Sequence, residues 1–185
     1  MRISVKITKS ALINSILTTF LLLAIVSCGG SRKTSYSSRS KNVSPSTYSD
    51  KKSEHSNEKL NQVISTAKSY TGTRYKFGGT SRNGMDCSGL VYTSYKDAHI
   101  VLPRTSTEQS KAGKTVGLDD LQPGDLVFFT DKAGNRKITH VGMVTETKGR
   151  KNVKFIHAST KLGVVENDLY SEYYISIFIK AVRVF

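Results

Sequence analysis

One cysteine in the second half of the chain has the surroundings of a nucleophile. Cys87 follows Asp86 and precedes Ser88, an order typical of the first turn of a helix whose N-cap is the aspartate. Backbone N–H groups and the helix dipole favour a thiolate there, and Gly84 and Gly89 are expected to leave space for the backbone of a ligand. A structural cysteine would lie deeper on the apolar stripe of the helix. We therefore interpret Cys87 as a nucleophile.

Histidines that could serve this thiol as a base lie further along the chain. His140 and His157 each lie in an apolar, strand-like run, whereas His99 lies at the end of a predicted helix, where an imidazole commonly contacts the last carbonyls. The polar loop between the two runs predicts a hairpin. An axis between Lys148 and Gly149 would place His140 directly opposite His157 on one sheet face, with Cβ atoms ~4.5–5.5 Å apart, unless a bulge shifts the register.

Cys87, His140 and His157 are also the ligand types of a catalytic zinc site. The sequence lacks the close ligand spacing of known zinc motifs, and a lowered thiol pKa is the simpler explanation for a cysteine at a helix start. We therefore expect no cofactor and keep a zinc-dependent hydrolase as an alternative.

The composition limits the classes to which the chain can belong. Its 185 residues carry a formal charge of +14 and only 37% are hydrophobic, which predicts one domain with a polar tail. Two cysteines are too few for a disulfide-stabilised miniprotein or a four-thiol zinc site. The sequence has no arginine–aromatic motif of the nucleic-acid-binding type, so we expect no nucleic acid partner.

The first 27 residues have the pattern of a secretory signal peptide. A basic start is followed by the apolar residues 11–26, a run shorter than the ~20 residues that span a bilayer. Aliphatic and small residues directly before Cys28 resemble the bacterial lipobox, which predicts that Cys28 carries acyl chains such as palmitate; an ordinary signal with an incidental cysteine is the alternative. Because Gly29 rather than Asp follows, we expect anchoring in the outer membrane, facing the periplasm.

The mature chain divides into a linker and one domain. Residues 28–57 are rich in Ser, Thr and Lys and lack a periodic apolar pattern, which predicts a flexible linker after the lipidated Cys28. Residues 58–185 are expected to form one monomeric domain.

The apolar pattern within this domain changes from helical to strand-like spacing. The first helix is predicted to start at Asn57 and Glu58 and to stop near Gly72, and a second begins at Cys87. Capping-box patterns at 105–109 predict a short third helix that ends at Gly113. Strands are predicted to follow at 125–130, 138–145, 153–159, 163–166 and 175–185. Helices followed by antiparallel strands predict an α+β fold.

Several short motifs resemble the NlpC-type cell-wall cysteine peptidases. The similarity spans about residues 60 to 160, and its most specific element is the Asp-Cys-Ser-Gly motif at the start of a helix. The matching segments, in the order in which they follow one another, are 75–79, 86–91, 102–106, 123–129, 140–142 and 155–158.

This resemblance implies a papain-like fold with helices packed on an antiparallel sheet. It implies Cys87 as nucleophile, His140 as base and His157 as the residue that orients the base. The implied reaction is hydrolysis of peptidoglycan stem peptides, most often at the γ-D-glutamyl–diamino acid bond. A non-catalytic peptidoglycan-binding lipoprotein is a further alternative.

The resemblance also assigns roles around the nucleophile. It implies that Tyr75 donates to the oxyanion and that Asp86 and Ser88 line the substrate groove, whereas Arg104 matches a structural element. The chain departs from many members of the family at Arg74, where they have proline; this difference removes no chemical group.

Overall fold

Helices pack on an antiparallel sheet in the computed structural model, which describes residues 46–185, and the predicted α+β class is confirmed. The helices are α1 (Ser46–Ser69), α2 (Cys87–Asp97), α3 (Ser106–Gln109) and α4 (Glu172–Ile177). The strands are β1 (Thr80–Ser81), β2 (Gly84–Met85), β3 (Lys114–Val116), β4 (Leu126–Phe129), β5 (His140–Thr147), β6 (Val153–Ser159), β7 (Gly163–Asp168) and β8 (Phe178–Arg183). None of the helices in this part of the chain is long and apolar enough to cross a membrane.

Six strands form one sheet in the order β3-β8-β4-β5-β6-β7, and every neighbouring pair is antiparallel. The short strands β1 and β2 form a separate ribbon within the loop that precedes α2. The two strands that carry His140 and His157 are therefore neighbours inside the large sheet, with β4 and β7 on their outer sides.

Each face of the sheet buries its own set of apolar side chains, because successive residues of a strand point to opposite faces. One face of the sheet, here called the helical face, packs against α1 and α2. The apolar cluster between them includes Val63, Ala67, Leu90, Val91, Tyr95, Phe128, Met143 and Ile156. The opposite face packs against α4 and the segment before β4; its buried residues include Leu121, Val127, Phe129, Val144, Phe155 and Ile177.

The predicted start of the first helix is wrong, because α1 begins at Ser46 rather than at Asn57 and Glu58. Its first turns are polar, with Lys and Glu residues that favour helices but supply no apolar period. The last part of the expected flexible linker is therefore helical. Residues 1–45, including the predicted signal peptide and Cys28, lie outside the described residues.

The strand predicted at 175–185 is confirmed only over Phe178–Arg183, which form β8, because residues 175–177 belong to the last turn of α4. Aromatic and β-branched residues favour strands in isolation, but Ile177 packs from α4 onto the sheet. By contrast, β6 has the bounds predicted for it, and α2 begins at Cys87 as predicted.

Candidate active site

The helix α2 begins at Cys87 because the preceding carboxylate caps it. Asp86 Oδ1 accepts the Gly89 N–H at 2.6 Å, and Oδ2 accepts the Gly78 N–H at 2.7 Å. Arg104 donates to the same two oxygens at 2.9 and 2.7 Å. Burial alone would raise the pKa of Asp86, but these hydrogen bonds hold the pKa below its usual value. One buried carboxylate thus joins the helix start, the loop before it and Arg104.

The glycines near Cys87 do not leave space for a ligand as predicted. A Cβ at Gly89 would overlap the Gly79 carbonyl oxygen, and a Cβ at Gly84 would overlap the Lys76 side chain. These two glycines therefore allow the chain to pack closely against itself, and the expectation of a ligand backbone there is wrong.

The Cys87 thiol is buried and neutral in this structure. Its residue is 8% exposed. Burial raises the pKa of Cys87, opposed by a backbone N–H of Val141 and reinforced by the negative charge of Asp86. The backbone N–H groups of Cys87 and Ser88 at the helix start lower the thiol pKa, as predicted, but desolvation outweighs them. The net shift is upward, so the predicted lowered thiol pKa is wrong for the unliganded site.

His140 and His157 are diagonal neighbours and not directly opposed. The ladder between β5 and β6 pairs Met143 with Ile156, and the same register places Gly142 opposite His157. The chain reverses near residue 150 rather than between Lys148 and Gly149, since Thr147 pairs with Val153, so the predicted direct opposition is wrong. A bulge in β5 then shifts the register by one residue. The predicted shared face is confirmed, because positions two apart on a strand point the same way.

The two imidazoles nevertheless form a direct hydrogen bond. His140 Nε2 lies 2.7 Å from His157 Nδ1, and the rings are nearly perpendicular at 89°. Burial lowers the pKa of His140 to about 3, with a further contribution from His157. Burial also lowers the pKa of His157, opposed by a hydrogen bond with Asn167. Both imidazoles are therefore neutral at pH 7.

This contact disfavours the zinc alternative. Two nitrogen atoms that face each other at 2.7 Å share a proton and do not converge on a metal ion. Within residues 46–185, moreover, no group of three His, Cys, Asp or Glu side chains is arranged to hold a metal.

Two polar residues that the sequence analysis did not identify contact His157. Asn167 Oδ1 lies 2.8 Å from His157 Nε2. The Tyr174 hydroxyl lies 3.1 Å from His157 Nε2 and 3.1 Å from Asn167 Oδ1. Asn167 lies on β7 and Tyr174 on α4, so both contacts depend on tertiary structure and have no local sequence signal.

Cys87, His140 and His157 line one cavity of about 550 Å³, together with Tyr75. Tyr75 and Cys87 also line a second cavity, of about 320 Å³. Asp86, Ser88 and Arg104 line this second cavity. All six residues predicted for the site in this domain therefore line one or both of these cavities: Tyr75, Asp86, Cys87, Ser88, His140 and His157. A larger cleft, of about 970 Å³, lies along β3 and β8 and contains none of them.

The thiol and the imidazoles reach this site from different faces of the sheet. Cys87 packs with the helical face, whereas His140 lies beside Phe129 on the opposite face, with ring centroids 6.1 Å apart. Cys87, His140 and His157 nevertheless line the same cavity. His99 is exposed, lies beyond the end of α2 and lines neither cavity.

A cysteine at the start of a helix, beside two histidines on an antiparallel sheet, defines a papain-like cysteine peptidase. The NlpC/P60 family model matches residues 72–183. The chain belongs to the NlpC/P60 family, as its motifs predict, and is a cell-wall hydrolase of the cysteine peptidase type.

Relatives and solved structures agree with this assignment. The chain is 39% identical to a probable endopeptidase NlpC of Escherichia coli over 63% of its own length and 72% of the relative. It is 43% identical to a gamma-D-glutamyl-L-lysine dipeptidyl-peptidase of Bacillus subtilis, over 44% of its own length and 27% of that relative. A crystal structure of an NlpC/P60 family protein from Bacillus cereus matches with a TM-score of 0.61 and 34% identity, over 68% of this chain and 40% of that one.

Proposed function

We propose that the protein is an endopeptidase that cleaves the γ-D-glutamyl–diamino acid bond of peptidoglycan stem peptides. Cys87 is the nucleophile, His140 the base and His157 the residue that orients it. The observation that carries this proposal is the shared cavity of about 550 Å³, which the thiol and both imidazoles line. The contact with His157 occupies Nε2 of His140, so Nδ1 is the nitrogen left to receive the thiol proton.

The reaction starts from a neutral thiol and a neutral imidazole, because burial raises the pKa of Cys87 and lowers that of His140. Sulfur attacks the amide carbonyl while its proton passes to His140, which then protonates the leaving amine. A water molecule, deprotonated by His140, hydrolyses the thioester. Burial and the negative charge of Asp86 raise the pKa of Tyr75, so its hydroxyl remains a donor for the oxyanion, a role typically worth ~3–4 kcal/mol.

The second cavity indicates how the stem peptide lies across the thiol. Cys87 and Tyr75 line both cavities, so a bound peptide passes from one to the other over the sulfur. Ser88 and Asp86 line the second cavity beside it. A free terminal ammonium would need an unpaired carboxylate here, but Asp86 is already in a two-point ion pair with Arg104. This pairing supports cleavage within a longer peptide.

The choice of bond rests on the similarity to a relative named for γ-D-glutamyl-L-lysine cleavage. The leaving group in that bond is an amine of a diamino acid, which the His140 imidazolium can protonate. We also propose that the protein acts as a monomer.

We further propose that acyl chains on Cys28 anchor the protein in the outer membrane, facing the periplasm. The support is the lipobox-like run before Cys28 and the Gly29 that follows it. Two or three acyl chains, at ~0.8 kcal/mol per buried methylene, hold a protein stably on a bilayer.

Digestion of purified muropeptides by the full chain tests the proposed bond. Product masses with a new free amine on the diamino acid are expected, and the Cys87→Ser chain should give none. Release of a terminal D-alanine, or separation of cross-linked stems alone, would contradict the proposed bond. Inhibition by a chelator with recovery on adding zinc would contradict the thiol mechanism.

A further inference from the structure

A row of polar side chains continues from the two histidines across the sheet. His140, His157 and Asn167 come from the neighbouring strands β5, β6 and β7. The register pairs Asn167 with Phe155, two residues from His157, so the three side chains share one face. Tyr174 of α4 contacts the far end of this row through its hydroxyl.

The amide oxygen of Asn167 determines which nitrogen of His157 carries the proton. A carbonyl oxygen only accepts hydrogen bonds, so the 2.8 Å contact requires that His157 Nε2 donates to Asn167 Oδ1. An unprotonated Nε2 at that distance would place two lone pairs against each other. In a neutral imidazole, a proton on Nε2 leaves Nδ1 as an acceptor.

The position of the proton on His157 in turn determines the position of the proton on His140. Because His157 Nδ1 accepts, the 2.7 Å contact requires a proton on His140 Nε2. The neutral His140 ring then has its lone pair at Nδ1, the nitrogen nearer its own backbone. Asn167, which contacts His157 and not His140, thus determines the tautomer in which His140 can act as a base.

We propose that Asn167 is a positioning residue that fixes the tautomers of both His157 and His140. This inference rests on the proposed role of His140 as base. Tyr174 donates to Asn167 Oδ1 at 3.1 Å and thereby holds the amide in place. Without Asn167, the same hydroxyl, 3.1 Å from His157 Nε2, becomes the donor to that nitrogen and favours the reverse tautomer in both rings.

Nuclear magnetic resonance of ¹⁵N-histidine-labelled full-length protein at pH 7.5 tests the tautomers independently of activity. Protons on Nε2 of both His140 and His157 are expected. A proton on Nδ1 of His157 would overturn the inference, because it means that the Asn167 amide presents its nitrogen. If the protein cleaves no stem peptide, the proposed function fails, while this spectrum still decides the inference.

Two variants of Asn167 and one control variant extend the test to catalysis. Asn167→Ala should convert His157 to the Nδ1–H form and lower kcat/KM by about 10²-fold, the low end of the general-base contribution. Asn167→Asp should restore the tautomer and most of the rate, with the acid limb of the pH profile moved to higher pH, because a carboxylate stabilises the imidazolium.

The control is Glu166→Ala on the same strand. Glu166 pairs with Ile156, which faces the helices, so this change perturbs β7 without touching the row of side chains. Unchanged tautomers and rate are expected for the control. Unchanged tautomers in Asn167→Ala, or equal rate losses in Asn167→Ala and Glu166→Ala, would overturn the inference.

Discussion

His140 Nε2 and His157 Nδ1 lie 2.7 Å apart, and this contact gives the two imidazoles unequal positions relative to the thiol. Both rings line the same cavity as Cys87, but His157 is only 3% exposed and its other nitrogen contacts Asn167. His140 is the ring with a nitrogen free to receive a proton. The arrangement therefore favours His140 as base and His157 as its support.

We predict that His140→Ala lowers kcat/KM for muropeptide cleavage by about 10³-fold, within the range of general-base catalysis. His157→Ala should lower the rate less than His140→Ala does, because its loss misaligns the imidazole of the base without removing it. His157→Asn should retain the most activity, because an amide oxygen can still accept the His140 Nε2–H. Steady-state rates on one purified muropeptide measure all three. An active His140→Ala beside an inactive His157→Ala would reverse the roles.

Cys87→Ser should abolish cleavage and leave the melting temperature nearly unchanged, because the exchange of sulfur for oxygen is almost isosteric. Product masses and a thermal unfolding curve measure the two effects. Turnover by the variant comparable to that of the parent would remove the assignment of the nucleophile. A collapse in stability would instead favour a structural role for Cys87.

Alkylation of Cys87 should depend steeply on pH. Iodoacetamide reacts with the thiolate, and burial raises the pKa of Cys87, so the rate should rise about tenfold per pH unit up to at least pH 9. The experiment uses the Cys28→Ser chain, in which Cys87 is the remaining cysteine. The same chain unfolded in urea is the control and should level off at lower pH. A plateau below pH 8 in the folded protein would contradict a neutral resting thiol.

Arg104→Ala should destabilise the domain by about 2–3 kcal/mol, because it leaves the buried Asp86 carboxylate without its ion pair. Urea unfolding measures the free energy of unfolding. Lys111→Ala removes an exposed ion pair with Glu108 and is the matched control, with an expected cost below about 0.5 kcal/mol. Equal costs for the two variants would show that the Asp86–Arg104 pair behaves as an ordinary surface pair.

Cys28→Ser should yield an exported protein that lacks acyl chains and separates with the soluble fraction. The prediction follows from the lipobox-like run before Cys28. Fractionation after a high-salt wash, followed by immunoblotting, measures it. A variant that still pellets with membranes after the wash would mean that something other than lipid holds the protein there.

The residues of the site that could be predicted from sequence are those with a local pattern. Asp86 and Cys87 begin a helix in a way that the cap predicts, and β6 has a clear apolar run around His157. Asn167 and Tyr174 could not be found, since their roles depend on the register of β7 and on α4, a helix whose sequence resembles a strand. The sequence therefore indicates the candidate reacting residues, whereas the residues that contact them can be identified only from the tertiary structure.

The thiol pKa was mispredicted for a related reason. The helix start is local and visible in the sequence, whereas burial of Cys87 depends on Val141 and other residues far along the chain. Burial outweighs the helix start here because desolvation opposes charge directly. The predicted hairpin register was wrong because the turn is centred near residue 150, and the polar loop sequence gives no distinct signal for its centre.

The burial of Cys87 also affects how long the enzyme survives between turnovers. Peroxides and disulfides react with thiolates far faster than with thiols, and access to the sulfur limits both reactions. A neutral sulfur in a residue that is 8% exposed is therefore slow to oxidise while the cavity is empty. Under the proposed mechanism, transfer of the proton to His140 activates the sulfur only when an amide carbonyl is present to be attacked. With Cys87 as the proposed nucleophile, resistance of the resting thiol to oxidation and its reactivity towards a bound amide are compatible in one cysteine.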